Sequence, residues 1–286
     1  MKKKLLIICI LILVVADVFT TLNSEDNFYK LLMKGYENRN GYMSKLESGL
    51  NEGFFNKNTN HPLFKSIPVL MYHCIDNDVW GTPGLFVAPS EFQKQMAYLK
   101  GNGYTTITFR DLDHISQIPK PIIVTFDDGY KDNYTYAYPI LKKYNMKATI
   151  FIIVNSLGKT RSLNIDEIRE MKGTIDFQSH TMTHAHLGKL RKSRVEYEVA
   201  ESKRQLEKLT GENIFVIAYP YGSYNSQTIE TVKKYYKYGL TVRSGFFIDE
   251  PGFDDYQIDR VAVTNRTTLR SFIRSISNTF SRAAST

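Results

Sequence analysis

The chain has 286 residues, 42% of them hydrophobic and 23% charged, with a formal net charge of +8 at pH 7. That length accommodates one domain of about 200 to 230 residues with appendages, and the composition is globular, neither fibrous nor disordered. The positive charges are scattered, with no Arg-rich arm or basic stripe interleaved with aromatics, so nucleic acid is excluded as the expected partner.

In chain order, MKKK is a short basic start and Leu5 to Ala16 is an unbroken apolar run. The run suits a signal-peptide core but is short for a bilayer span; Val14 and Ala16 offer a small-residue cleavage signal before Asp17. Residues 1–22 are therefore expected to be a signal peptide or an uncleaved membrane anchor. The body is exported, either secreted or held at the outer face of the cytoplasmic membrane. Cys9 lies inside the apolar run and Cys74 is the other cysteine, so there is no disulfide framework and stability must come from a core. Residues 23–66 are rich in Asn, Lys, Glu and Gly and read as a polar stalk, with a short helix around Phe28 to Met33.

From residue 67 to 286 the pattern is regular. Strands are expected at IPVLMYHCI (from Ile67), TTITF (from Thr105), PIIVTFDDG (from Pro121), ATIFIIV (from Ala148), TIDFQSH (from Thr174), NIFVIAYPYG (from Asn213), YGLTVRS (from Tyr238) and YQIDRVAV (from Tyr256). Helices are expected from Ser90, with Gln93 completing a capping box, through NYTYAYPILKKYN with Pro139 near an end or a kink, and near Ile165 to Met171. Further helices are expected over about Ser193 to Leu209, near Ser226 to Tyr236, and from Thr267. About seven alternations of apolar strand and helix imply a covered parallel sheet, either an open doubly wound sheet or a (β/α) barrel. In both, strand C-terminal ends face the active site, and Asp127, His180 and Pro220 stand at such ends.

The sequence FDDG puts Asp127 and Asp128 side by side. Asp-Gly alone is ordinary turn chemistry. SHTMTH supplies His180 and His184, whose i, i+4 spacing places two imidazoles on one side of a helical turn, while His186 points off that face. Two His and one Asp form a facial triad for a divalent metal, a set that hydrolases share with non-haem iron oxygenases. The second acid favours hydrolysis: Asp128 serves as ligand, and Asp127 is free to accept a water proton.

TFDDG, HTMTH and AYPYG, in this order, resemble the polysaccharide deacetylase family (NodB homology, carbohydrate esterase family 4), over roughly Ile67 to Ser271. The resemblance implies a distorted (β/α) barrel of about seven strands and removal of N-acetyl groups from N-acetylglucosamine or N-acetylmuramic acid polymers. Carried over by motif, Asp127 is the base, Asp128, His180 and His184 hold the metal, and the Tyr221 backbone N–H helps hold the oxyanion. The expected ion is Zn²⁺, with Co²⁺, Ni²⁺ or Mn²⁺ as alternatives.

Two features depart from the family pattern. Ala218 stands where many members have an Arg that pairs with the base, and no histidine follows His186 to supply the usual general acid. MYH, ending in His73, resembles the subgroup of biofilm poly-β-1,6-N-acetylglucosamine deacetylases, in which this His is the acid. Arg260 in IDRVAV is a candidate to replace the missing Arg, against a surface ion pair with Asp259 as the plain alternative. The expected partner is an N-acetylated cell-envelope or extracellular polysaccharide, with membrane contact through the N-terminal segment if it is uncleaved, and the expected state is a monomer. The competing readings are a non-catalytic carbohydrate-binding protein on the same scaffold and a metal amidohydrolase or esterase acting on a small non-sugar molecule.

Overall fold

The computed structural model of the chain describes residues 65–250 and 252–277. The expected signal or anchor segment and nearly all of the expected stalk, including the helix around Phe28 to Met33, lie outside the described residues. No described helix is long and apolar enough to cross a membrane.

The strands in chain order are β1 (Lys65–Ile67), β2 (Val69–Tyr72), β3 (Cys74–Ile75), β4 (Phe86–Val87), β5 (Thr105–Ile107) and β6 (Pro121–Phe126). They continue as β7 (Ala148–Ile152), β8 (Ile175–Ser179), β9 (Val216–Ala218), β10 (Tyr238–Ser244), β11 (Phe247–Asp249) and β12 (Ile258–Ala262). The α-helices are α1 (Pro89–Gly101), α2 (Tyr138–Tyr144), α3 (Ile165–Met171), α4 (Lys192–Thr210), α5 (Ser226–Val232) and α6 (Leu269–Ser277).

Every residue of β6 is buried, the mark of a strand covered on both faces. Its alternate side chains divide between two cores. Ile122, Val124 and Phe126 pack outward under the helices with Leu70, Tyr72, Ile150 and Ile152. Ile123 packs inward with Val69, Phe151, Leu240 and Ile258, so Thr125 and Asp127 continue that inward face.

Seven parallel strands close on themselves in the order β2, β12, β10, β9, β8, β7, β6, with β2 also pairing to β6 from Val69↔Ile123 to Tyr72↔Phe126. The fold is a (β/α) barrel, and the open-sheet alternative falls on that last pairing. β5 is an extra strand. Ile123 pairs with Val69 and also with Ile107, so β5 takes the edge of β6 that β7 takes further on, at Thr125 and Phe126. This fork, and a register shift between Leu240 and Ser244 where β10 meets β12, distort the barrel.

Local differences from the sequence expectations have physical causes. The capping box expected at Ser90 and Gln93 is not used, because Pro89 already occupies the first helical turn and Ala88 is the N-cap. The expected helix through Pro139 divides into a π-helical turn at Asn133–Ala137 followed by α2, with Pro139 in its first turn where no amide donor is needed. His180 and His184 lie on irregular backbone after β8 rather than on a helical turn, with Thr181 and His184 at φ of 69° and 61°.

Candidate active site

Asp127 is the first residue beyond β6, on the inward face, and its amide donates to the Tyr72 carbonyl at 2.9 Å. Arg260, on the inward face of β12 and fully buried, grips it from below. Its Nη1 donates to Asp127 Oδ1 at 2.7 Å and its Nη2 to Oδ2 at 2.8 Å. The same guanidinium donates to the Thr241 carbonyl at 2.9 Å and to Thr125 Oγ1 at 3.2 Å. Burial alone would raise the Asp127 carboxyl, but Arg260, with His180 and His73 nearby, holds it well below the usual carboxylate range. Asp259, the alternative partner for Arg260, points to the other side of the strand and pairs with Arg243 at 2.8 Å. His73 directly follows β2, and its Nε2 lies 3.9 Å from Asp127 Oδ2.

At Asp128 the chain turns into the left-handed region (φ 73°), followed by Gly129 (φ 70°), where a Cβ would meet Ile152 Cδ1 at 2.8 Å. The reversal swings the Asp128 carboxylate away from Arg260 and toward the loop after β8. His180 Nε2 lies 3.4 Å and His184 Nε2 3.2 Å from Asp128 Oδ1. Yet that buried oxygen makes no hydrogen bond with any described residue. The ligand-capable atoms of all three residues fall within 4.8 Å of one another.

The tautomer at His180 follows from its other nitrogen. Nδ1 lies 2.8 Å from the Ala218 carbonyl, which only accepts, so Nδ1 carries the proton and the Nε2 lone pair faces Asp128. Burial lowers the His180 imidazole to about 3, which keeps it neutral. Burial pushes the Asp128 carboxyl up to about 6. Two imidazole nitrogens and an orphaned carboxylate oxygen around one point fit a divalent cation, whose charge would relieve that burial.

Tyr221 sits in the turn Pro220–Gly222 after β9, itself left-handed at φ 59°. Its hydroxyl is 3.0 Å from His184 Nδ1. His186, left out of the site on spacing, stacks on the Tyr221 ring at 4.0 Å between centroids. Three supporting residues were not singled out from the sequence. Glu198 on α4, fully buried, accepts from the Thr183 amide at 2.9 Å and the Thr183 hydroxyl at 2.7 Å, pinning the loop between the two histidines. Asp132 accepts from the Ile75 amide at 2.8 Å while Asn133 Nδ2 donates to the His73 carbonyl at 2.9 Å, which fixes the segment carrying His73. Glu198 looked like one more charge on a long charged helix. Its position four residues after Arg194, with which it pairs at 2.9 Å, gave no cue that it faces inward. Among aromatics, Trp80 packs on Tyr130 at 5.0 Å under the Arg161 guanidinium, and Tyr224 packs on Tyr219.

A family model described as polysaccharide deacetylase matches residues 114–240. The poly-β-1,6-N-acetyl-D-glucosamine N-deacetylase of Staphylococcus epidermidis is 32% identical over 200 residues, covering 63% of this chain and 68% of that protein. The Bacillus subtilis protein YxkH, named as a polysaccharide deacetylase, is 37% identical over 205 residues, covering 69% of this chain and 71% of its own.

The chain belongs to the polysaccharide deacetylase family.

The solved structure of BC0361, a polysaccharide deacetylase from Bacillus cereus, superposes with a TM-score of 0.72 at 38% identity, over 76% of this chain and 70% of that one. As a member of this family the chain is a hydrolase that cleaves amides. The family-model match takes in Asp127, Asp128, His180, His184 and Tyr221 but stops short of His73 and Arg260 on either side. Those two come from the strands that flank β6 and β10 across the closure, and both reach Asp127.

Proposed function

We propose that this deacetylase removes N-acetyl groups from an N-acetylglucosamine-containing polysaccharide of the cell envelope or extracellular matrix, using a divalent cation held by Asp128, His180 and His184. The observation that carries the reading is the division of labour between adjacent acids. Asp127 is locked and ionised by Arg260, while Asp128 turns away with an unpartnered oxygen between two imidazole nitrogens.

When bound, the cation supplies Lewis acidity that lowers the pKa of a water and polarises the acetamide carbonyl. Asp127 takes the proton of the attacking water, and Arg260 keeps that carboxylate oriented and initially charged. The Tyr221 backbone N–H stabilises the developing oxyanion, a donor of the kind whose loss typically costs about 3 to 4 kcal/mol in the barrier. His73, whose Nε2 lies 3.9 Å from Asp127 Oδ2, protonates the leaving amine, which as an anion would be a very poor leaving group. Together His73 and Arg260 supply the acid and the base-pairing cation that the motif region lacks. That supports catalysis over a binding role on the same scaffold.

The reading extends to the chain as a whole: an export segment at 1–22, cleaved or anchoring, a stalk at 23–66, and a monomeric catalytic domain at 67–286 working outside the cytoplasmic membrane in contact with the wall or matrix. The S. epidermidis relative's named substrate, a β-1,6-linked polymer, makes that glycan the first to test. Acetate release should be measured on poly-β-1,6-N-acetylglucosamine, chitooligosaccharides and peptidoglycan, with the metal content of the protein determined in parallel. Release from at least one glycan, abolished in Asp127→Asn with metal retained, is expected. Release from none of them, or wild-type turnover in Asp127→Asn, would sink the proposal.

A further inference from the structure

The two candidate metal histidines are held very differently. His180 is 2% exposed, and its Nδ1 is fixed by a main-chain carbonyl of β9, part of the rigid barrel wall. His184 sits at the rim on left-handed backbone, with 21% of its side chain exposed. Its Nδ1 has a side-chain partner instead, the Tyr221 hydroxyl at 3.0 Å. A phenol both donates and accepts, so this contact fixes the tautomer only if the ring is held in place.

Tyr221 is 57% exposed, and its ring would otherwise be free to turn. One face of it is covered by His186, nearly parallel at 17° and 4.0 Å, and His184 lies at 4.4 Å. The three rings form a ladder from solvent to the candidate ligand. The turn beneath is equally constrained. At Gly222 a Cβ would meet Val242 Cγ2 at 2.4 Å, so the backbone that sets the direction of Tyr221 packs tightly on β10.

We propose that the Tyr221 hydroxyl is a positioning group that accepts a hydrogen bond from the Nδ1–H of His184 and so directs the Nε2 lone pair at the metal, and that His186 is the prop that holds the phenol there. This rests on the reading of His184 as a metal ligand and adds to Tyr221 a side-chain duty distinct from its backbone N–H. One residue then couples ligand orientation on its side-chain side to the oxyanion wall on its main-chain side. Groups that orient a ligating imidazole typically change metal affinity by about 10- to 100-fold when removed.

Zinc affinity measured by competition with a fluorescent chelator, which needs no turnover, tests the inference on the wild type and on His184→Ala, Tyr221→Phe, His186→Ala and His186→Phe. Tyr221→Phe keeps the ring and the stack and is expected to bind zinc about 10- to 100-fold more weakly. His186→Ala should weaken binding by about 2- to 10-fold, and His186→Phe, which keeps a flat ring, should restore it. In zinc-free protein, ¹⁵N spectra of the His184 ring should show the Nδ1-protonated tautomer in the wild type and a mixture in Tyr221→Phe. Wild-type affinity and an unchanged tautomer in Tyr221→Phe, with affinity lost in His184→Ala, would overturn this inference alone. Wild-type affinity in His184→Ala would overturn the ligand assignment beneath it.

Discussion

Asp127 and His73 are 3.9 Å apart at the mouth of the barrel, yet their expected roles are opposite, one removing a proton and one delivering it. The difference can be separated by substrate. An amine leaves only when protonated, whereas an activated phenyl acetate loses a stable phenolate without help. His73→Gln is therefore expected to slow glycan deacetylation by about 10²- to 10⁴-fold, the usual range for a general acid, and the activated ester by far less. Equal losses on both substrates, measured as kcat/KM, would make His73 structural. Behind His73, burial pushes the Asp132 carboxyl up to about 6, from an ordinary value near 4. A raised acid is favoured in its protonated form by folding, so its destabilising charge is absent below about pH 4 and fully present above about pH 6. Asp132→Asn keeps an acceptor for the Ile75 amide without the charge. Its stability relative to wild type should therefore rise between pH 4 and pH 7, by no more than about 3 kcal/mol. A flat difference in denaturant midpoints across that range would refute the assignment. The motif residues were legible because their spacing and chemistry are local. Arg260 was legible only as a stand-in for the absent Arg; the structure puts Ile258 and Arg260 on the inward face of β12, and Asp259, one residue away on the strand, turns outward and pairs with Arg243 instead. Tyr221's hydroxyl and Glu198 were not legible, because their partners are distant in sequence and neither lies in a pattern that marks an inward direction.

The histidine loop draws its shape from α4 and the neighbouring turn. Spacing of i, i+4 suggested a helical turn, but the backbone after β8 is irregular. Thr181 and His184 enter the left-handed region instead, each a strained conformation for a residue with a side chain. Such backbone persists only when its surroundings fix it. Glu198 takes both the amide and hydroxyl of Thr183, Ser202 Oγ accepts from Ser179 Oγ at 2.9 Å, and the Thr181 hydroxyl caps the His184 amide at 3.1 Å. Glu198→Gln keeps the shape but weakens the charge-assisted bonds and the Arg194 pair. It is expected to cost about 1 to 3 kcal/mol in stability and to loosen zinc binding without touching a ligand. Unchanged chelator competition in a folded Glu198→Gln protein would show that the loop holds its shape without the clamp. Helix existence was read well from periodicity, and Pro139 stands near a helix end as its ring predicts; the start of α1 was read less well, since Pro89 sets a first turn that capping residues alone did not reveal.

Alternation of apolar strands and helices indicates a covered parallel sheet but is silent on whether the sheet closes, because closure is a pairing between the first strand and one far along the chain. Here that pairing is β2 with β6 on one side and β12 on the other, and it brings both His73 and Arg260 to the Asp127 carboxylate. The candidate cation would act on the same architecture. It would join Asp128 after β6 to His180 and His184 after β8, with β7 between them. An ion that binds the folded barrel far better than the unfolded chain stabilises it by about 2.7 kcal/mol at a free concentration 100-fold above Kd. For a domain of this size, that corresponds to a rise in Tm of roughly 5 to 10 °C. Chelator should reverse the rise, and Asp128→Asn should show almost none of it, since a neutral amide is a poor replacement for the carboxylate oxygen at the centre of the cluster. Asp127→Asn should keep most of it, because that carboxylate is committed to Arg260 rather than to the cluster. A zinc-induced shift of equal size in Asp128→Asn and wild type would mean that the ion stabilises the protein from some other site, and the division of labour between the two adjacent acids would have to be abandoned.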